Sequence, residues 1–187
     1  VDVFYDYDYV VVPSGSCAGL IRRHYPDVLK DDAMYASRAV ELANQCYELT
    51  SFLVDVLGFS QVSGNFRGKL AWHDSCSCLR EMQVFEQPRQ LLRSIPGCEL
   101  MEIKDHDTCC GFGGTFCVKC PEISTRMVDD KINAIVASGA NTLAAADLGC
   151  LLNIAGRLSR QNIPVKVFHV AEVLAGRIGI PGVGEES

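Results

Sequence analysis

No run of eighteen apolar residues occurs in this chain of 187 residues, which excludes an apolar membrane-spanning helix. Nor does any basic stretch pass into an apolar one in the manner of a secretion leader. Basic residues never cluster beyond Arg22-Arg23, and 17 Lys and Arg stand against 23 Asp and Glu for a net charge of −6. A nucleic-acid surface needs the opposite balance. No Ser, His and Asp set is spaced to define a hydrolase triad. The dinucleotide fingerprint is missing too: Gly111-Phe112-Gly113-Gly114 has Phe116 where a third glycine belongs, and the bulky Cys109-Cys110 fill the turn where phosphate would lie.

What is present in excess is cysteine, ten residues in a chain long enough to bury a core without staples. With no leader in view, the expected address is cytoplasmic, where thiols stay reduced and clustered cysteines serve as metal ligands more often than as disulfides. The adjacent pair Cys109-Cys110 cannot bond to itself without distorting the peptide between them, so it reads as paired thiolate ligands. Gly111, Gly113 and Gly114 remove the Cβ atoms that would block the approach of a bulky bound group.

Strand and helix signals alternate along the chain. Strands are expected at Tyr7 to Val12, Lys69 to His73, Cys98 to Ile103, Thr142 to Ala146 and Val165 to Phe168. Helices are expected from Asp31 or Asp32 to about Tyr47, from Thr50 or Ser51 to Leu57, and from Gln87 to Ser94. Another opens at Pro121 with an apolar stripe of Ile123, Met127, Val128, Ile132, Ile135 and Val136 and stops at Gly139; two more cover Leu151 to Arg160 and Val170 to Arg177. The alternation predicts an α/β fold with mostly parallel sheets covered on both faces.

The chain also repeats itself. A shift of 133 residues lays Tyr9 to Cys17 over Thr142 to Cys150, and a second echo sets Glu48 to Leu53 beside His169 to Leu174. Two pseudo-symmetric Rossmann-like units follow: residues 1–59 as the C-terminal part of a first unit lacking its front half, 69–177 as a complete second unit, and 179–187 as a disordered tail.

In the second unit Cys76, Cys109-Cys110 and Asp147-x-x-Cys150 each follow a strand, so a parallel sheet gathers them at one edge. Thiolates gathered in this way suit an iron-sulfur cluster or zinc. This pattern resembles the CCG cysteine-rich domain found in heterodisulfide reductases and in the iron-sulfur subunit of glycolate oxidase. It resembles in particular the lactate utilization protein A family, through Pro13 to Cys17, Glu48-Leu49-Thr50, Cys109 to Phe116, Val118-Lys119 and Gly149 to Leu158.

The resemblance implies an iron-sulfur subunit, of the 4Fe-4S kind, working with two other lactate-utilization subunits, at least one of them an iron-sulfur protein, to oxidise L-lactate to pyruvate. It carries over Cys76, Cys109, Cys110 and Cys150 as cluster ligands and Cys17 as the last ligand of the incomplete first unit. Asp147 stands where the fuller motif has a cysteine; it is a candidate ligand, with helix capping as the plainer reading. That departure leaves zinc as an alternative metal and a zinc-stabilised structural subunit as an alternative role.

Cys117-x-x-Cys120 offers a third reading, a thiol-disulfide oxidoreductase. His73 and His106 stand near the site as ligands or proton carriers, Cys78 is the substitute for Cys76, and Cys46 and Cys98 read as core.

Overall fold

A computed structural model describes residues 1–185. Its larger sheet contains β3 (Gly68–Trp72), β4 (Cys98–Met101), β5 (Thr142–Ala145) and β6 (Lys166–His169), all parallel, in the order β4-β3-β5-β6. Side chains alternate across this sheet as strand geometry demands. Ala71, Leu143, Ala145 and Val167 meet the helices Pro121–Ala137 and Leu148–Arg160 on one face. Leu70, Trp72, Ala144 and Phe168 meet Leu92, Val170 and Val173, from Glu86–Arg93 and Val170–Leu174, on the other. The expected α/β architecture is therefore present, with both faces of a parallel sheet covered.

The smaller sheet pairs β1 (Val10–Val12) with β2 (Cys46–Glu48), also parallel. Here the internal repeat becomes physical. Val10, Val11 and Val12 pair with Cys46, Tyr47 and Glu48 just as Leu143, Ala144 and Ala145 pair with Val167, Phe168 and His169, so both sequence echoes hold to the residue in the strand register. Where the copies meet, the Gly15–Gly19 helix presents Gly15 and Gly19 to the Cys78–Met82 turn; a Cβ on Gly15 would overlap Cys78 Sγ, and one on Gly19 would overlap the Glu81 carboxylate.

Three details depart from the sequence reading. The Tyr7 to Val12 strand shortens to β1, with Val10 its buried residue and Tyr7, Tyr9 and Val11 exposed. The helix expected to reach Tyr47 ends at Gln45 and gives way at once to β2. The Pro121–Ala137 helix turns its buried face away from Ile123 and Val136, which are exposed, and buries Ser124 and Lys131 beside Val128, Ile132 and Ile135, because both polar groups have carbonyl acceptors in the preceding loop.

The stretch expected as a disordered tail has contacts of its own. Val183 N donates to Val167 O at 2.7 Å, and Val183 packs against the core. Residues 186 and 187 lie outside the described part of the chain.

Candidate metal centre

In the larger sheet the chain crosses from β3 to β4 on one side and then returns to place β5 on the other. The carboxyl ends of β3 and β5 therefore flank a topological switch point, where open α/β sheets hold their ligands. Cys76 follows β3, Cys109-Cys110 follow β4, and Cys150 lies in the first turn of the helix after β5. Three neighbouring strand ends deliver all four cysteines to the wall of one cavity of about 380 Å³, shared with Ser16, Ser75, Phe112, Gly113, Gly114 and Asp147.

The sulfurs lie close enough to govern one another. Cys110 Sγ and Cys150 Sγ are 2.9 Å apart, as free thiols, a separation that a shared proton or shared ion permits and two bare thiolates would resist. Hydrogen bonding from Cys110 and Cys76 holds the Cys109 thiol well below its ordinary range. Hydrogen bonding from Cys110 lowers Cys150 against the opposing effect of burial. The proton donors move the other way: Cys76 is pushed up by Cys109 and by burial, and Cys110 by Cys109, Cys150 and burial. The four thiols thus pull on one another in opposite directions, and a soft cation would displace their protons.

The loop carrying the pair is held from several sides. Gly111 has φ +82°, and a Cβ there would stand 2.6 Å from Ser124 O. Only glycine suits both constraints. Ser124 Oγ donates to Gly111 O at 2.8 Å, and Asn153 Nδ2 to Cys110 O at 2.9 Å. Beneath the loop the buried Lys131 ammonium donates to the carbonyls of His106 (3.1 Å) and Asp105 (3.4 Å). Burial pulls its pKa down, while the charges of Asp74, Cys110, Asp107 and Cys109 oppose that. Asp74, fully buried, receives Arg89 Nη1 and Nη2 and the Trp72 indole and lies 3.1 Å from His106 Nδ1. This network fastens the loop after β3 to the loop after β4.

The residues singled out from the sequence divide cleanly. Cys76, Cys109, Cys110 and Cys150 come together. Cys17 does not: it is exposed and lies outside the cavity wall. Asp147 reaches the wall, yet both its oxygens are engaged. Ser14 Oγ (2.8 Å), Ser16 Oγ (2.7 Å) and Ser16 N (3.0 Å) donate to Oδ1, and Ser75 Oγ donates to Oδ2. Burial raises its pKa, but the serine hydrogen bonds outweigh burial and leave it lowered. Asp147 holds the N-cap position of the Leu148–Arg160 helix, but its side chain makes no capping bond and instead ties the Ser14–Ser16 segment to the cavity wall.

Gly113 and Gly114 line the cavity with φ +51° and +61°, whereas Gly111 is turned to Ser124. Cys78 faces Asp147 at 3.8 Å rather than the cavity. Cys46 is core, burial raising its thiol to about 11, and Cys98 is half-buried against the second core face. Cys117 bonds to Gly114 O, and neither it nor Cys120 reaches the cavity wall.

The residue that sequence reasoning underrated is His73. It is 1% exposed, and a ring nitrogen, Cys110 Sγ and Cys150 Sγ all lie within 4.8 Å of one another. Its place directly after a strand and three residues before Cys76 was the available signal.

Soft sulfur donors from three strand ends, an adjoining cavity and a buried imidazole fit an iron-sulfur cluster or a zinc ion. The arrangement defines a class: residues 70–155 match the CCG family, described as a cysteine-rich domain. The chain is 45% identical over 177 residues to lactate utilization protein A of Bacillus subtilis (strain 168), covering 95% of this chain and 74% of that protein. To lactate utilization protein A of Geobacillus sp. (strain WCH70) it is 48% identical over 170 residues, covering 91% and 71%. This chain belongs to the lactate utilization protein A family. Among its described residues no helix is long and apolar enough to cross a membrane.

Proposed function

We propose that the chain is a cytoplasmic iron-sulfur subunit, carrying electrons in a multi-protein system that oxidises L-lactate to pyruvate together with two other lactate-utilization subunits. The observation that carries this reading is the convergence of Cys76, Cys109, Cys110 and Cys150 on one cavity at the sheet's switch point. The names of the relatives supply lactate.

Converting lactate to pyruvate releases two electrons and two protons, and a 4Fe-4S cluster, when bound, passes electrons singly. The chain's own residues do the rest. Cys76, Cys109, Cys110 and Cys150 would supply the thiolates that hold the cluster. Ser124 and Asn153 fix the backbone that presents Cys110, and the buried Lys131 ammonium offsets thiolate charge.

The grouping of His73, Cys110 and Cys150 also supports zinc, which takes four N and S donors in a closed structural site. A Cys109→Ser variant separates the roles. Loss of growth on L-lactate with normal amounts of folded protein supports electron transfer. Loss of folding, with the surviving protein fully competent, would leave a structural zinc subunit instead.

A further inference from the structure

The ligand set contains more than thiolates. His73 leaves the end of β3 with its backbone N bonded to Ala144 O at 2.9 Å, so the ring's root is fixed against the neighbouring strand. The ring is buried, and neither Nδ1 nor Nε2 reaches hydrogen-bond geometry with a described residue, although the ring stands close enough to Cys150 to help lower that thiol. A buried polar group left unpaired costs about 1–3 kcal/mol, so such groups are rare and call for a partner. The partner's direction is given: the ring lies with Cys110 Sγ and Cys150 Sγ, all within 4.8 Å of one another.

The other three histidines lie elsewhere. His169 accepts Ala171 N at Nδ1 and faces the Pro13 and Ala146 carbonyls through Nε2; His106 Nδ1, also without a hydrogen-bond partner among the described residues, faces the Asp74 carboxylate at 3.1 Å rather than the thiols; His24 is exposed beside Glu81.

The family motif's missing cysteine leaves room for a non-sulfur ligand, and Asp147, which stands in its place, has spent both oxygens on serine donors. We propose that His73 supplies a nitrogen ligand to the metal centre, completing a mixed set of thiolates and imidazole. The inference rests on the thiolate-held centre proposed above and adds to it. Imidazole is a ready ligand for iron and zinc alike. Being neutral, it leaves the centre one negative charge poorer than a thiolate would, which favours the reduced state of an iron-sulfur cluster, as histidine ligation does in Rieske centres.

The test uses the full chain, purified without oxygen and reconstituted with ferrous iron and sulfide or, separately, with zinc alone. Histidine is labelled with ¹⁵N, and the reduced iron protein is examined by pulsed electron paramagnetic resonance. The zinc protein is examined by X-ray absorption. A directly bound histidine nitrogen is expected in the native chain, retained in His24→Ala and lost in His73→Cys, which keeps full metal content and gains a sulfur neighbour. His73→Cys is also expected to shift the iron centre to a lower midpoint potential; His73→Ala is expected to lose metal affinity at least tenfold. A native centre with sulfur neighbours alone, and a His73→Cys potential equal to that of the native chain, would overturn the inference while leaving the thiolate centre standing. No metal uptake under either reconstitution would overturn both.

Discussion

Ser14 and Asp147 stand at equivalent positions in the two copies of the repeat and touch each other, Ser14 Oγ donating to Asp147 Oδ1 at 2.8 Å. The two echoed segments therefore meet beside the cavity, whose wall includes Ser16 and Asp147. One segment contributes thiols and Ser75 to its wall, while the other contributes the Ser14 and Ser16 hydroxyls that hydrogen-bond the Asp147 carboxylate. His169 repeats the theme, its Nε2 lying 2.8 Å from Ala146 O and 2.9 Å from Pro13 O, carbonyls at equivalent positions in the two copies.

Asp147 is therefore expected to matter for stability rather than for metal binding. Hydrogen bonds to a charged group contribute about 1.5–3 kcal/mol each, so Asp147→Ala should lower the free energy of unfolding by about 3 kcal/mol, measured by urea denaturation. Asp147→Asn, which keeps an acceptor, should bind metal to the same stoichiometry as the native chain. Loss of metal in the folded Asn variant would show Asp147 to be a ligand.

Glu48 gives the fold a pH dependence. Its Oε2 accepts from Thr50 N, Thr50 Oγ1 and Ser51 N, while Oε1 has no partner among the described residues. Burial raises its pKa despite those bonds. The folded chain thus holds this proton more tightly than the unfolded chain does. Its contribution is full below the unfolded value, about 4.3, and is lost as pH rises through the folded value. Stability measured from pH 4 upward should fall less steeply in Glu48→Gln than in the native chain; equal slopes would show that Glu48 does not hold the proton.

The strand ends that precede Cys76 and Cys150 were legible in the sequence because β3 and β5 are short apolar runs, each followed by a break. The cysteines' spacing against those breaks then placed them at one edge. β2 was hidden, since Cys46–Glu48 is three residues long and joins the preceding helix with no glycine or proline to mark the change. The echo of Glu48 in His169 carried the missing information, because a residue that caps a helix after a strand implies the same strand in the other copy. What the sequence could not display was burial of polar groups by distant partners. Asp147 is defined by Ser14 and Ser16, Lys131 by the carbonyls of Asp105 and His106, and His73 by its burial beside Cys110 and Cys150.

Gly149 is a packing requirement of the cavity. A Cβ there would overlap the Phe112 ring, and both residues line the wall. Gly149→Ala should cost about 1–3 kcal/mol by overpacking and displace Phe112 from the cavity. Thermal unfolding and the near-ultraviolet signal of aromatic residues would register both effects, and an unchanged melting temperature would contradict the contact.

The measurement that tests the central claim most directly is iron and acid-labile sulfide content, with electron paramagnetic resonance, on protein handled without oxygen. Iron and sulfide in equal amounts, with a reducible signal that disappears in Cys110→Ser, is the result expected of an electron carrier built on these four cysteines. Zinc alone, with no signal in any oxidation state, would contradict it.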